Sequence, residues 1–394
     1  MSTEPTAPSG RTVPAERPAR RLPQVARTDT EPGPADDAAV ERVVGDALEL
    51  AAFAAPTGEE GERGAAVAER LAGLGLDPER DAVGNVTVRL GGAGPALVVS
   101  AHLDTVFGSE VPLAPRREGD RLLGPGIGDD TVAVAALLEL ARALRDAPPA
   151  QPIVLAATVG EEGLGDLRGV KHLLSRVPAR ALVALEGHLL DDLVVGGIGA
   201  LRLRARYRGP GGHSWGDRGT GSAAHALLRA GAAALDAVPR GAHINVGVVR
   251  SGSTVNAIAE EGELLVDLRD DDDGRLRRTA QRVRDALERA PRGIHATVEQ
   301  VGHRPAGRTP ADHPLVTTAR AARAAVGLPP AREDAGSTEC NAAYPLGVPA
   351  ICVGITRGGD MHRTSEWVAV PPIAAGLGAL LELVRRLDEA DLGG

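Results

Sequence analysis

Apolar residues recur with a helical period from Asp36 to about Ala55, at Val40, Val43, Val44, Ala47, Leu48 and Ala51, and Pro56-Thr57-Gly58 closes the segment. A second helix is expected over about 60–74. Short apolar runs near 85–90 and 96–100 read as strands, followed by helix 131–145, strand 153–159, helix 166–176 and strand 181–185. Strands that are apolar throughout and alternate with helices are what a parallel sheet covered on both faces requires. The fold class expected is α/β, with a mainly parallel sheet covered by helices.

After Gly196-Gly197 the pattern changes. Leu201, Leu203, Ala205 and Tyr207 alternate with arginines, as in a half-exposed strand. Helix 222–238, strands 243–250 and 261–269, helix 274–290 and strand 293–301 follow, giving the order β-α-β-β-α-β of a split, ferredoxin-like unit. Helix 313–326, strand 349–355 and helix 371–389 then return to the first pattern. The chain therefore reads as a main domain built from 36–196 and 305–394, with residues 197–304 inserted as a second domain. Residues 1–35 are rich in Pro, Ala, Arg, Thr and Glu without any period and read as a disordered tail.

Composition sharpens this picture in a few places. A chain of 394 residues that is 43% hydrophobic but only 2% aromatic must pack its cores from Ala, Val, Leu and Ile. The formal charge of −9, with cationic residues spread along the chain, argues against a nucleic-acid partner. Lys171 is the only lysine among 44 cationic residues, which leaves Schiff-base chemistry a single candidate. Cys340 and Cys352 are the only cysteines, too few for a disulfide framework or a Cys-rich zinc site. The start lacks a signal-peptide apolar core and no run reaches transmembrane length, so a cytoplasmic protein without a membrane partner is expected.

Chemistry concentrates at the ends of the apolar strands. His102 and Asp104 follow the run at 96–100, the pair Glu161-Glu162 follows 153–159, and Glu186 follows 181–185. Asp129-Asp130 ends a glycine-rich segment, and His362 follows Gly358-Gly359. The carboxyl ends of strands are where an open α/β sheet builds its sites. Any one of these residues alone is more simply a hydrogen-bonded loop residue or a helix cap; their joint occurrence at successive strand ends reverses that balance. His102, Asp129, Glu162, Glu186 and His362 overfill one metal site and suit two divalent ions that share one carboxylate. Glu161 is left for proton transfer, provided that Gly160 and Gly163 bend the chain after the strand. Asp104 is expected to orient the His102 imidazole.

On these residues the chain resembles the di-zinc metallopeptidase and deacylase family that includes glutamate carboxypeptidase, tripeptide aminopeptidase, acetylornithine deacetylase and succinyl-diaminopimelate desuccinylase. His102-Leu103-Asp104-Thr105-Val106 matches its H-x-D-T-V motif, Gly124 to Asp130 its G-x-G-x-x-D-D motif, and Gly160-Glu161-Glu162-Gly163 its acidic turn. Leu185-Glu186-Gly187 and the segment Gly358 to Glu366, with His362, match its remaining ligand positions. The resemblance implies Asp129 as the bridge, His102 and Glu186 on one metal, Glu162 and His362 on the other, Glu161 as the base, and a cis peptide after Asp129. It implies two zinc ions, with cobalt or manganese tolerated by the same ligands.

The inserted domain resembles the family's lid and dimerisation domain. Gly209 to Ser214 matches a G-x-x-G-H-S motif, which implies that His213 polarises the substrate carbonyl across a homodimer; Asn256 and Arg269 match positions that hold the substrate. Ser337 and Thr338 lie in a segment, Gly336 to Asn341, that forms part of the substrate pocket in relatives. Departures are Thr131, where many members have Lys, Glu186, where tripeptidase-like members commonly have Asp, and Glu339 and Cys340, where the motif has Asp and Ala. The expected activity is hydrolysis of an amide in a small peptide or N-acyl amino acid, through a water that bridges two metals and is activated by Glu161. Exopeptidase and deacylase both remain open, Glu339 being a candidate partner for a substrate ammonium. A catalytically silent metal-binding scaffold is the alternative of a different class.

Overall fold

The computed structural model describes residues 33–390. The expected tail lies outside the described residues except for 33–35. Helix α1 (Asp37–Leu50) begins where Asp36 accepts a hydrogen bond from the Ala39 N–H at 2.7 Å, and it buries Val40, Val43, Val44, Ala47 and Leu50, the stripe read from the sequence. Helix α2 (Gly61–Gly73) follows.

The main sheet contains β1 (Glu79–Arg80), β2 (Val86–Leu90), β3 (Ala96–His102), β4 (Ile153–Thr158), β5 (Ala179–Glu186) and β6 (Asp192–Gly197), joined later by β11 (Gly307–Arg308), β12 (Arg332–Gly336) and β13 (Ala350–Gly354). Their order is β1-β2-β4-β3-β5-β13-β6-β11, with β12 paired to β6. The centre is parallel, β3 lying between β4 and β5 and β13 beside β5, and the β2, β13–β6 and β11 pairings are antiparallel. All seven residues of β3 and all six of β4 are buried, as a strand covered on both faces must be. Register brings the strand ends to one level, with His102 opposite Thr158 and Gly354 opposite Glu186.

Helices α1, α3 (Val132–Asp146), α7 (Pro314–Ala325) and α9 (Ile373–Glu389) pack on one face of this sheet, while α4 (Arg168–Arg176) and α8 (Cys340–Ala343) cover the other. Helix α4 starts two residues later than the periodicity predicts. Asp166 and Leu167 adopt left-handed conformations (φ 56° and 59°), which turns the Asp166 carboxylate toward the His303 N–H at 2.9 Å and Lys171 Nζ at 2.6 Å. Lys171 also donates to the His303 carbonyl at 2.8 Å, so the only lysine straps α4 to a strand of the second sheet.

That second sheet is formed by β7 (Gly199–Arg208), β8 (His243–Ser251), β9 (Glu261–Asp270) and β10 (His295–Arg304), in the antiparallel order β8-β9-β7-β10. With α5 (Ala223–Ala237) and α6 (Asp273–Leu287) on one face, it has the β-α-β-β-α-β order read from the sequence and a core of its own, including Leu203, Tyr207, Leu227, Leu268 and Val283. The Tyr207 hydroxyl donates to the Leu287 carbonyl at 2.7 Å. The opposite face carries the alternating arginines, with Arg202 and Arg206 paired to Asp267 and Glu263.

The chain passes between the sheets at Ile198 and Pro305. One side chain holds both passages: Asn341 Nδ2 donates to the carbonyls of Ile198 and Pro305, each at 2.9 Å, while its Oδ1 accepts from the Thr338 N–H at 3.0 Å. Strands β6 and β12 and the very short strands were not expected from the sequence. Among the described residues no helix is long and apolar enough to cross a membrane.

Because Leu203 is 1% exposed in the smaller core, Leu203→Ala should lower the unfolding free energy by about 2–5 kcal/mol. Tyr207→Phe should lower it by about 1 kcal/mol, the net worth of its hydrogen bond. Urea unfolding followed by circular dichroism gives both values, and equal effects of the two substitutions would contradict this view of the core.

Candidate metal-binding active site

The residues singled out in the sequence gather at the carboxyl edge of the main sheet. His102 is the last residue of β3 and Glu186 the last of β5. Asp129 and Asp130 occupy the tight turn Ile127–Thr131 before α3, joined by a cis peptide. Glu161 and Glu162 follow β4 on a turn flanked by Gly160 and Gly163, both at positive φ (66° and 46°), the bend that lets adjacent carboxylates part. His362 projects from a loop in which it and Asp360 are themselves left-handed.

His102, Asp130 and Glu186 form one group of potential ligands and Asp129, Glu162 and His362 a second, the ligand atoms of each lying within 4.8 Å of one another. Asp129 connects them, with Oδ1 2.9 Å from His102 Nε2 and Oδ2 3.0 Å from His362 Nε2. His362 Nε2 is also 3.1 Å from Glu162 Oε1. His102 Nδ1 donates to the Asp104 carbonyl at 2.9 Å, which leaves Nε2 as the lone-pair nitrogen. That buried nitrogen makes no hydrogen bond. A lone pair and a carboxylate oxygen facing one point is an arrangement of donors around a cation, and two imidazoles with three carboxylates fit a pair of divalent ions.

The Asp104 carboxylate does not have the task expected of it. It lies 3.7 Å from His102 Nδ1, and the main-chain carbonyl of the same residue orients the ring instead. The carboxylate is engaged elsewhere, accepting from the N–H groups of Glu161 and Glu162 at 2.8 and 2.9 Å and from the Thr57 hydroxyl at 2.8 Å. It thereby fixes the acidic turn. Asp130 ties the two neighbouring strands together, accepting from the N–H groups of His102 at 3.2 Å and Gly187 at 2.8 Å. Glu366 accepts from the N–H groups of Gly126, Gly128 and Asp129 at 3.1, 2.7 and 2.9 Å and so shapes the loop that presents Asp129. Gly126 is required there: at φ 73°, a Cβ would lie 2.4 Å from Thr105 Cγ2.

Two guanidinium groups complete the site. Arg304, the last residue of β10, is buried and donates from Nη1 to Glu161 Oε1 at 2.8 Å, from Nη2 to the Glu161 carbonyl, and from Nη1 to the Ser337 carbonyl at 3.2 Å. Arg63 on α2 donates to the Leu103 and Phe53 carbonyls and to the Thr131 hydroxyl at 2.9, 2.7 and 3.3 Å. It sets a buried cation against the residue that departs from the family's Lys. Neither arginine carries a spacing signal in the sequence.

Burial dominates the electrostatics. It pushes Glu161 up to about 7, with Arg304 and His102 pulling the other way, and raises Glu186 and Asp130 well above the usual carboxylate range. Burial also opposes ionisation of Asp129, but the His102 and His362 imidazoles beside it outweigh burial and hold that carboxyl low. Hydrogen bonds to Asp129 and Glu162 lift His362 to about 10. Burial lowers Arg63 to about 10 against the pull of Asp104 and Glu366.

The residues expected at the substrate are distributed over both sheets. Ser337 lies against Arg304, and the Thr338 hydroxyl accepts from the Cys340 N–H at 3.3 Å. Arg269 Nε donates to Asp267 Oδ2 at 2.6 Å. Asn256 and His213 are exposed, and their loops are joined by the Ser214 N–H donating to the Asn256 carbonyl at 3.0 Å. His213 Nδ1 accepts from the N–H groups of Trp215 and Gly216 at 3.2 and 3.1 Å, which leaves Nε2 to carry the proton of a neutral ring. Glu339 corrects an expectation. It is 3% exposed, its Oε1 is engaged with the Thr158 hydroxyl at 2.5 Å, and burial raises its pKa, so it is turned into the interior and not toward a substrate ammonium.

Replacing Glu366 by Gln removes one of the two acceptor oxygens that organise the Asp129 loop. Metal affinity should fall by ~10–100-fold with the fold intact, measured by competition with a chromophoric chelator; unchanged affinity would show that Glu366 does not govern how Asp129 is presented.

Known proteins share this fold. Residues 98–386 match the model of peptidase family M20/M25/M40. The chain is 31% identical over 186 residues to an N-acetyl-L-citrulline deacetylase of Xanthomonas campestris pv. campestris, covering 43% of this chain and 49% of that protein. The curated relatives are matched over about a third to a half of their own length. A Staphylococcus aureus tripeptidase shares the fold, with TM-score 0.72 and 22% identity over 89% of this chain and 99% of that one. A Bacillus subtilis dinuclear metal-binding peptidase shares it with TM-score 0.64 and 14% identity over 91% and 100%. The family model spans both the strands that end at the potential ligands and the whole of the second sheet, and the chain belongs to peptidase family M20/M25/M40.

Proposed function

We propose that this protein is a metal-dependent amidohydrolase that cleaves the amide of a small N-acyl amino acid or peptide. The observation that carries this reading is the Asp129 carboxylate set between His102 and His362, with Glu161 on the acidic turn next to Glu162 and held by Arg304. His102 and Glu186 would hold one divalent ion and Glu162 and His362 the other, with Asp129 shared; zinc suits this donor set, as do cobalt and manganese. Such a pair, when bound, supplies a Lewis acid that polarises the carbonyl and makes water a nucleophile at neutral pH.

The chain's own residues do the rest. Glu161 takes a proton from the attacking water and returns it to the leaving amine; its buried position suits a group that must hold a proton in mid-reaction. Arg304 keeps its carboxylate aimed. We read residues 197–304 as a lid and dimerisation domain, through which His213 donates from Nε2 to the developing oxyanion in the partner's site. Arg269 and Asn256 are assigned to the substrate's carboxylate side, and Ser337 and Thr338 to the pocket wall beside Arg304. Deacylation is favoured over aminopeptidase action because Glu339, the carboxylate expected to bind a substrate ammonium, is buried on Thr158. The deacetylase relative supports the same branch. The two cysteines fit a reducing, cytoplasmic compartment, and the homodimer acting on small molecules is what the resemblance to the family implies.

Two metal equivalents per chain are expected by elemental analysis after loading and dialysis. Glu161→Gln should keep both and lose ~10²–10⁴-fold in kcat, whereas Glu162→Gln should lose metal as well. Assays use N-acyl amino acids, with di- and tripeptides as the competing class. Full metal loading without turnover of any of them would leave a silent scaffold.

The trans assignment has its own test. His213→Ala and Glu161→Ala homodimers should each be nearly inactive, and mixing them with subunit exchange should restore about a quarter of wild-type activity, since half the dimers are mixed and each has one whole site. Demonstrated exchange without recovery would place His213 outside the partner's chemistry.

A further inference from the structure

Of six aromatic side chains five are buried or half-buried, and Trp215 is 73% exposed. Its position is specific. The turn 213–218 is closed by the His213 N–H donating to Asp217 Oδ2 at 2.7 Å and the Asp217 N–H donating to the His213 carbonyl at 3.0 Å. The Trp215 N–H itself donates to His213 Nδ1 at 3.2 Å. Imidazole and indole therefore ride on one rigid turn, and a surface that receives the first receives the second.

The Arg218 guanidinium stacks 4.9 Å from the indole centroid and donates to the Trp215 carbonyl at 3.2 Å, which fixes the ring and covers one of its faces. On the adjoining loop, one residue before Asn256, Val255 stands fully exposed. Two apolar side chains thus flank two polar ones. In water such a pair is unfavourably placed; against an apolar group in a pocket it is not.

We propose that Trp215, with Val255 beside it, is a specificity-determining wall that each subunit supplies to its partner's pocket, selecting substrates with a bulky apolar group on the acyl side of the scissile amide. This inference rests on the reading of His213 as acting on the partner's site. The side of the amide follows from the chemistry. An imidazole N–H that meets the carbonyl oxygen stands over a carbon with two substituents, the amide nitrogen and the acyl group; with the nitrogen side assigned to Arg269 and Asn256, the acyl group is left to the indole. The carboxylate half is left to Arg269 and Asn256. An apolar wall of this kind separates substrates by ~10–200-fold in kcat/KM.

The test uses full-length, metal-loaded protein and matched N-benzoyl and N-acetyl amino acids, reading the ratio of kcat/KM for benzoyl over acetyl. In a His213→Ala/Glu161→Ala heterodimer the one working site belongs to the His213→Ala subunit and takes its turn from the Glu161→Ala subunit. Trp215→Ala on the Glu161→Ala chain should lower the ratio by ~10–100-fold, and Trp215→Phe there should restore most of it. Trp215→Ala on the His213→Ala chain should leave the ratio at its parental value. A fall confined to that second placement, equal effects from both placements, or no effect from either overturns the proposal. Heterodimers that form yet recover no activity overturn it differently, by removing the reading of His213 on which it rests. A readout independent of turnover uses Trp367→Phe, in which Trp215 is the sole indole: its emission should shift to the blue and lose acrylamide quenching when diluted monomers are concentrated to dimers, and unchanged emission counts against the wall.

Discussion

Crowding of like charge at one sheet edge is the constraint on which the rest of this structure depends. Asp129, Asp130, Glu161, Glu162 and Glu186 converge there, and burial drives Asp130, Glu161 and Glu186 away from their charged forms. Three devices offset the repulsion. Imidazoles from His102 and His362 meet Asp129; main-chain N–H groups meet Asp130; and the Arg304 guanidinium meets Glu161. None of these engages Glu186, whose nearest basic neighbour, His188, lies 4.0 Å away. What the chain leaves uncompensated is negative charge, and a pair of divalent ions is the complement proposed for it.

The loops that carry the potential ligands are shaped by carboxylates that face main-chain N–H groups. Asp104 gathers the N–H groups of the acidic turn and Glu366 those of the Asp129 loop. Both act as substitutes for regular structure: each satisfies backbone donors that neither strand nor helix can reach at these positions. The chemistry of the edge is therefore written twice, once in residues that could hold a cation and once in residues that hold the first set still.

Much of this was legible in the sequence because it rests on period and position. The apolar runs at 96–100, 153–159 and 181–185 marked strands, and the acidic and imidazole side chains fell at their ends. The change from unbroken to alternating runs after Gly197 marked the second sheet. What escaped reading depends on direction in space. Arg304 looks like any arginine at a strand end, and only the return of β10 to the acidic turn brings it to Glu161. Asp104 has the right neighbours, yet its carbonyl and carboxylate exchange the roles that spacing suggests. Glu339 lies in the segment expected to line a pocket but turns inward, where residues 338–341 are all buried, and one-dimensional spacing does not give that direction.

The amide of Asn341 has a mechanical consequence. The second sheet is attached to the first by two covalent passages, and both carbonyls at those passages are clipped by the same NH₂ group. Two strands pinned at one point behave as a single torsion spring: twisting at Ile198 is transmitted to Pro305, and neither can swing alone. The same side chain accepts from Thr338, so the axle of that spring is anchored in the segment that also positions Ser337 against Arg304. Rotation of the smaller sheet about these passages would therefore strain the segment that also meets the Arg304 guanidinium held on Glu161.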